Sequence, residues 1–151
     1  MSSGLSALEI NDTYSTNDHT VVEEFLAPAL SVSKSYDRAV GYFRSSFYNL
    51  VPFAMSDLAK NKGTIRILCS PYLTEEDKQV IKADGKLKKH LVDKAVDREM
   101  NGLLNEPEKL HHVEYLATLL RHNILEIQVI YKEAEPGIFH AKVGLISDGE
   151  N

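Results

Sequence analysis

The stretch Phe139-His140-Ala141-Lys142-Val143-Gly144-Leu145-Ile146-Ser147-Asp148 decides how the fold of this 151-residue chain is interpreted. It is mostly apolar, which favours a β-strand, and successive side chains of a strand point to opposite faces. His140 and Lys142 should therefore share one face with Gly144 and Ile146. The other face is expected to be the core face, with Phe139, Ala141, Val143 and Leu145. The pattern predicts a strand that presents an imidazole and an ammonium side by side.

Length and composition limit the class of protein. The length fits about one domain, and the formal net charge of −5 argues against a surface that is basic throughout. The single cysteine, Cys69, excludes an intramolecular disulfide. No apolar run is long enough to cross a bilayer, and residues 1–19 lack the apolar core of a signal peptide. We expect a cytoplasmic protein without a membrane partner.

Predicted helices and strands alternate along the rest of the chain. Helices are expected from a capping box at Thr20 and Glu23, over 47–58 with Gly63 at the C′ position, after Thr74, and as a hairpin of two long amphipathic helices over 87–120. Strands are expected over 36–43, 64–70, 125–131 and 139–148. This order predicts an α/β domain over 19–151, with a mixed or largely parallel sheet, after a flexible lead-in over 1–18. Because Asp148-Gly149 is a strong turn signal, we expect the domain to be truncated at its C-terminal end.

His140 and Lys142 together suit phosphoryl chemistry. A neutral imidazole can attack phosphorus and form a covalent intermediate, and an ammonium stabilises charge that develops on the phosphate oxygens. His111 and His122 stand about three helical turns apart, too far to share an ion without a third element. We therefore predict neither a metal nor a cofactor.

The same residues carry a resemblance. His140-Ala141-Lys142 followed by Asp148 resembles the His-x-Lys…Asp motif of the phospholipase D superfamily. The stretches 36–46, 63–71 and 73–77 are similar to the phospholipase D-like domain at the N-terminus of bacterial DEAD/DEAH- or SNF2-type helicases, often linked to restriction or phage defence. The resemblance covers most of residues 20–151. It implies a phospholipase D-like mixed sheet with helices on both faces and an inserted helical hairpin.

The resemblance also implies roles. His140 would attack the phosphodiester or protonate the leaving oxygen, Lys142 would hold the phosphate and Asp148 would support the site. Five residues separate Lys142 from Asp148, one more than is usual in the family. A complete centre joins two such motifs, so a homodimer or a second half of a longer protein would supply the other. DNA or another nucleic acid would be the substrate of this metal-independent nuclease.

Further candidate residues follow two of the predicted strands. Arg44, Ser45 and Ser46 open a helix, where an anion can bind free N–H groups, and Ser70 ends the second strand with Tyr72 close behind. An ordinary helix cap and a plain strand end are the structural alternatives for these residues. Aromatic side chains could also stack bases, although a core role is expected for them: Tyr42, Phe43, Phe47 and Phe53.

Two other functions stay open at this stage. The domain could keep the fold and a degenerate phosphate pocket, and bind DNA or a partner protein without cleavage. A lipid-directed phosphatidyltransferase is a third reading, against which the absence of an amphipathic basic helix argues.

Overall fold

A computed structural model describes residues 4–15, 21–42, 52–84, 89–107, 110–131 and 140–150. Its strands are β1 (Ser35–Tyr42), β2 (Thr64–Ser70), β3 (Leu125–Val129) and β4 (Val143–Ser147). Its α-helices are α1 (Ala27–Ser31), which continues a π-helical turn over Val21–Leu26, α2 (Pro52–Lys60), α3 (Glu75–Asp84), α4 (Lys89–Leu104) and α5 (Leu110–Arg121). The predicted cap at Thr20, the segment Arg44, Ser45 and Ser46, and Phe139 lie outside the described residues.

The described strands form one mixed sheet in the order β3-β2-β1-β4. β1, β2 and β3 are parallel, and β4 is antiparallel to β1. The parallel strands carry buried apolar side chains at alternate positions, with Tyr36, Ile65, Ile67, Cys69 and Leu125 in the core. The predicted α/β class with a mixed sheet is therefore confirmed.

Helices α1, α2, α4 and α5 pack on one face of this sheet. Side chains of α1, α2 and α5 meet the core positions of β1, β2 and β3, and α4 packs against Val129 and Tyr131 on the same side. The other face of the sheet carries a row of polar side chains. In this row Arg66 forms an ion pair with Asp37, and both Arg66 and Glu126 are exposed. The expected helices on a second face stay a prediction. The connections β1–β2 and β2–β3 both step in the same direction, and right-handed crossovers of that kind place their helices on one side.

The predicted core face of β4 is wrong. Val143 is 57% exposed and Leu145 is 66% exposed, whereas Ile146 packs against the core. The register explains the reversal, because Ile146 lies opposite the buried Tyr36 on the helix-covered side. Gly144 leaves room there for the Tyr36 ring, which lies 3.2 Å from where a Cβ on residue 144 would stand.

Helix α2 ends in a Schellman motif. The N–H of Gly63 donates to the carbonyl of Leu58, and the N–H of Lys62 donates to that of Ala59. These bonds place Lys62 at C′, with a φ of 59°, and Gly63 one position later. The predicted stop is in the right place, but its C′ residue is Lys62 instead of Gly63. Helix α5 ends in the same way, with Asn123 at C′ and a φ of 56°.

The described part of the N-terminal lead-in contacts the rest of the domain at two points. The backbone N–H of Leu5 donates to Oδ2 of Asp148 at 2.6 Å. The Tyr14 ring stacks on Phe25, with 5.4 Å between the ring centroids. Residues 4–15 are thus attached both to the end of β4 and to the helical turn that precedes β1.

Candidate functional site

The carboxyl ends of β1 and β2 and the segment that enters β4 lie at one end of the sheet. Tyr42 at the end of β1 is in register with Ser70 at the end of β2. β4 runs the other way and begins with Val143 opposite Ala39. Because a chain spans at most about 3.6 Å per residue, the Cα of His140 stands within about 11 Å of that of Val143. Ligands of open α/β sheets bind in crevices at this end.

His140 and Lys142 precede β4 and are not part of it. Both side chains are exposed, and Ala141 between them is half-buried. Within the described part of the chain, neither side chain has a hydrogen bond or an ion pair with another residue. The sequence pattern placed them on a strand face, whereas the structure places them on the approach to the strand, open to solvent. An imidazole and an ammonium in such a position are accessible to a dissolved anion.

Ser70 and Arg44, Ser45 and Ser46 were predicted to contact substrate. Ser70 is buried, with 4% of its surface exposed, at the end of β2. It lies at the same end of the sheet as His140 and Lys142, which is the grouping the sequence predicted. Because Ser70 is buried, it would line the inside of a crevice at this end of the sheet and would not be the first residue that a substrate contacts. The Arg44, Ser45 and Ser46 segment lies outside the described residues, so its predicted role stays a prediction.

Asp148 lies at the opposite end of β4. The strand is five residues long, which corresponds to about 17 Å of extended chain between the two ends. Asp148 accepts hydrogen bonds there from the backbone N–H groups of Glu150 and Leu5, which lower the pKa of its carboxyl. The structure therefore does not bring Asp148 to His140 and Lys142. The carboxylate supports the N-terminal segment instead.

An aromatic pair stands at the site end of the sheet. Tyr42 is half-buried, and its ring meets that of Tyr72 edge-to-face, with 5.5 Å between centroids and an interplanar angle of 79°. Tyr72 is 43% exposed, so one part of its ring is open to solvent. Tyr42 is therefore not only a core residue. Of the other predicted aromatics, Phe43 and Phe47 and the side chain of Phe53 are outside the described part.

Sequence reasoning missed Lys78, which stands in the first turn of α3 near both tyrosines. Its side chain pairs with Glu75, which raises the pKa of Lys78, and Tyr42 and Tyr72 raise that pKa further, though less. The sequence did contain a signal that places Lys78 close to Tyr72. Thr74 caps α3 with reciprocal hydrogen bonds to Asp77, so a residue one turn into the helix remains close to the loop that holds Tyr72.

Other potentially reactive groups do not extend the site. Cys69 is buried, and its burial raises the pKa of the thiol to about 11, so the thiol is a core group and not a nucleophile. Over the described ranges, no three side chains of His, Cys, Asp or Glu are grouped so that they could hold a metal ion. No helix in those ranges is long and apolar enough to cross a membrane.

No model of a known protein family, no curated protein sequence and no solved structure matches this chain. The class that the fold defines is thus an α/β domain with a four-stranded mixed sheet over the described residues.

Proposed function

We propose that this chain is a phospholipase D-like domain that hydrolyses phosphodiesters in a nucleic acid, as part of a cytoplasmic helicase or of a restriction or phage-defence protein. The observation that carries the proposal is the exposed pair His140 and Lys142 at the carboxyl end of the parallel strands. The sequence resemblance supplies the reaction class. The position of His140 and Lys142 makes them accessible, because a polymer can reach side chains that lie outside the sheet.

In the proposed reaction, the neutral imidazole of His140 attacks phosphorus and the P–O bond to one sugar breaks. The departing oxygen takes a proton from a second histidine, which acts as a general acid. Water then attacks the phosphohistidine, gives its proton back to that second histidine, and releases the phosphate end and His140. Lys142 neutralises charge on the non-bridging oxygens in both steps. No metal is needed for this balance of protons and charges.

The second histidine would come from another His-x-Lys motif. A homodimer of the protein or a second half within a longer chain would bring it to the same phosphate. DNA or another nucleic acid is the proposed substrate, and a helicase domain in the same protein would deliver it.

The first prediction concerns His140. We expect His140→Ala in the full-length protein to lower EDTA-resistant DNA cleavage by at least about 10⁴-fold, because both halves of the reaction pass through that imidazole. His90→Ala is the matched control, since His90 is also an exposed histidine and lies on α4. A gel assay with labelled DNA in EDTA measures both variants. Unchanged cleavage by His140→Ala would remove the catalytic assignment.

The second candidate function is a binding module with a degenerate phosphate pocket. The position of Asp148 favours it, because the carboxylate of the sequence motif supports the N-terminal segment instead of the His140 and Lys142 pair. The net charge of −5 points the same way, since it limits non-specific attraction to DNA. Absence of wild-type cleavage, together with loss of DNA binding in Lys142→Ala, would support this function over catalysis.

A further inference from the structure

Tyr72 is held in place although it is exposed. It follows the buried Pro71, and the ring of Tyr42 stands against it. Tyr42 is anchored in turn, because it belongs to β1 and is in register with the buried Ser70. A ring positioned from two sides loses little further freedom when a flat ligand stacks on it.

The surroundings of the pair suit a nucleotide. The pair stands at the same end of the sheet as the proposed phosphate site, since Tyr42 comes three residues after Ala39, and Ala39 lies opposite Val143 at the start of β4. The Lys78 side chain, paired with Glu75, also stands near the two rings. An aromatic plane and a cation next to a phosphate site are the components with which proteins bind single-stranded nucleic acids.

We propose that Tyr72, supported by Tyr42, stacks an unpaired nucleobase of the strand whose phosphate His140 and Lys142 hold. The inference rests on the proposed function, and it narrows the substrate to nucleic acid with at least one unstacked base. Bases inside a duplex already stack on their neighbours, so a duplex offers Tyr72 no free base face except at ends, flaps or loops.

The test compares two single strands that carry the same number of phosphates with a duplex that carries twice as many. The full-length protein is titrated with a labelled dT12 strand, with an abasic strand of the same length, and with a blunt 12-base-pair duplex, and binding is followed by fluorescence anisotropy. Wild type should bind dT12 more tightly than the abasic strand. We expect Tyr72→Ala to weaken dT12 binding by about 5- to 150-fold and to leave abasic binding unchanged, whereas Tyr72→Phe should keep the wild-type preference.

Two controls separate this inference from the proposed function. Tyr14→Ala removes a tyrosine that stacks on Phe25 and is not part of the proposed site, and it should not change binding. Lys142→Ala should weaken dT12 and abasic binding equally, because it acts on phosphate. Equal weakening of both strands by Tyr72→Ala, or no weakening, overturns the stacking role and leaves the phosphate site standing. Unchanged binding in Lys142→Ala overturns the phosphate site instead, and a wild type that binds none of the three ligands overturns both.

Discussion

Lys142 keeps its ammonium in water in the free protein, and this determines how it would act on a phosphate. A solvated cation contributes mostly through charge and counterion release, and little through fixed geometry. His140 differs, because attack on phosphorus requires a defined approach of the imidazole. Substitutions of Lys142 and of His140 should therefore have different effects in experiments that distinguish charge from geometry.

The salt dependence of DNA binding measures the contribution of Lys142. We expect Lys142→Ala to reduce the slope of log K against log salt concentration by about 1, because one phosphate contact is lost. Lys60→Ala is the matched control, since Lys60 is exposed at the end of α2 and pairs with Asp57. An unchanged slope in Lys142→Ala would contradict a contact between Lys142 and a phosphate.

The two faces of β4 give a stability prediction. Ile146→Ala should lower the free energy of unfolding by about 1–3 kcal/mol, less than at a fully buried site because the residue is only half-buried. Leu145→Ala should change it by no more than about 0.5 kcal/mol, since that side chain is mostly exposed. Urea denaturation of the two variants measures both values. If Leu145→Ala lowered the free energy of unfolding more than Ile146→Ala, Leu145 would face the core, as the sequence predicted.

At the scale of the elements, the sequence predicted β2 to the residue and the other described elements with shifted ends. The apolar run 64–70 is bounded by Gly63 and Pro71, so the sequence indicates where the strand begins and ends. The structure has β2 at Thr64–Ser70. For β4 the alternation of side chains was readable, but which set faces the core was not. That choice depends on the partner strand, and Tyr36 lies about one hundred residues away in sequence.

The end of α2 offers a prediction at the same scale. Lys62→Gly should raise the free energy of unfolding by about 0.5–1 kcal/mol, because relief of the left-handed backbone outweighs the extra chain entropy of glycine. The same change two residues earlier, Lys60→Gly, should lower it by about 0.5–1 kcal/mol, since Lys60 is helical. Urea titrations compare the two. A loss of stability in Lys62→Gly would refute the assignment of Lys62 to C′.

At the scale of the whole molecule, the sequence predicted the α/β class with a mixed sheet. It did not predict that α1, α2, α4 and α5 cover the same face, because strand order is a property of the complete topology and is invisible to local periodicity. It also grouped Asp148 with His140 on motif spacing alone. Asp148 lies far from His140 because the extended strand β4 runs between the two residues.

The contact between Leu5 and Asp148 joins the two ends of the described chain and should respond to pH. The folded-state pKa of Asp148 is lowered, first by the hydrogen bond from Glu150 and then by that from Leu5. The contact should therefore be fully present above the ordinary Asp pKa of about 3.9, and weaken as the pH falls through the lower folded value. Hydrogen exchange at Leu5, expressed as a protection factor, should fall at acid pH in wild type. Asp148→Ala should show low protection at both pH values; protection that survives in this variant would mean that another group holds Leu5.

The position of β4 in the sheet also has a consequence for biosynthesis. β1, β2 and β3 follow one another in the chain and in the sheet, so this part can pair as it leaves the ribosome. β4 pairs with β1 across about one hundred residues, and long-range pairings of this kind form slowly. We expect His140 and Lys142 to reach their place beside the sheet only in that late step, when β4 docks on β1.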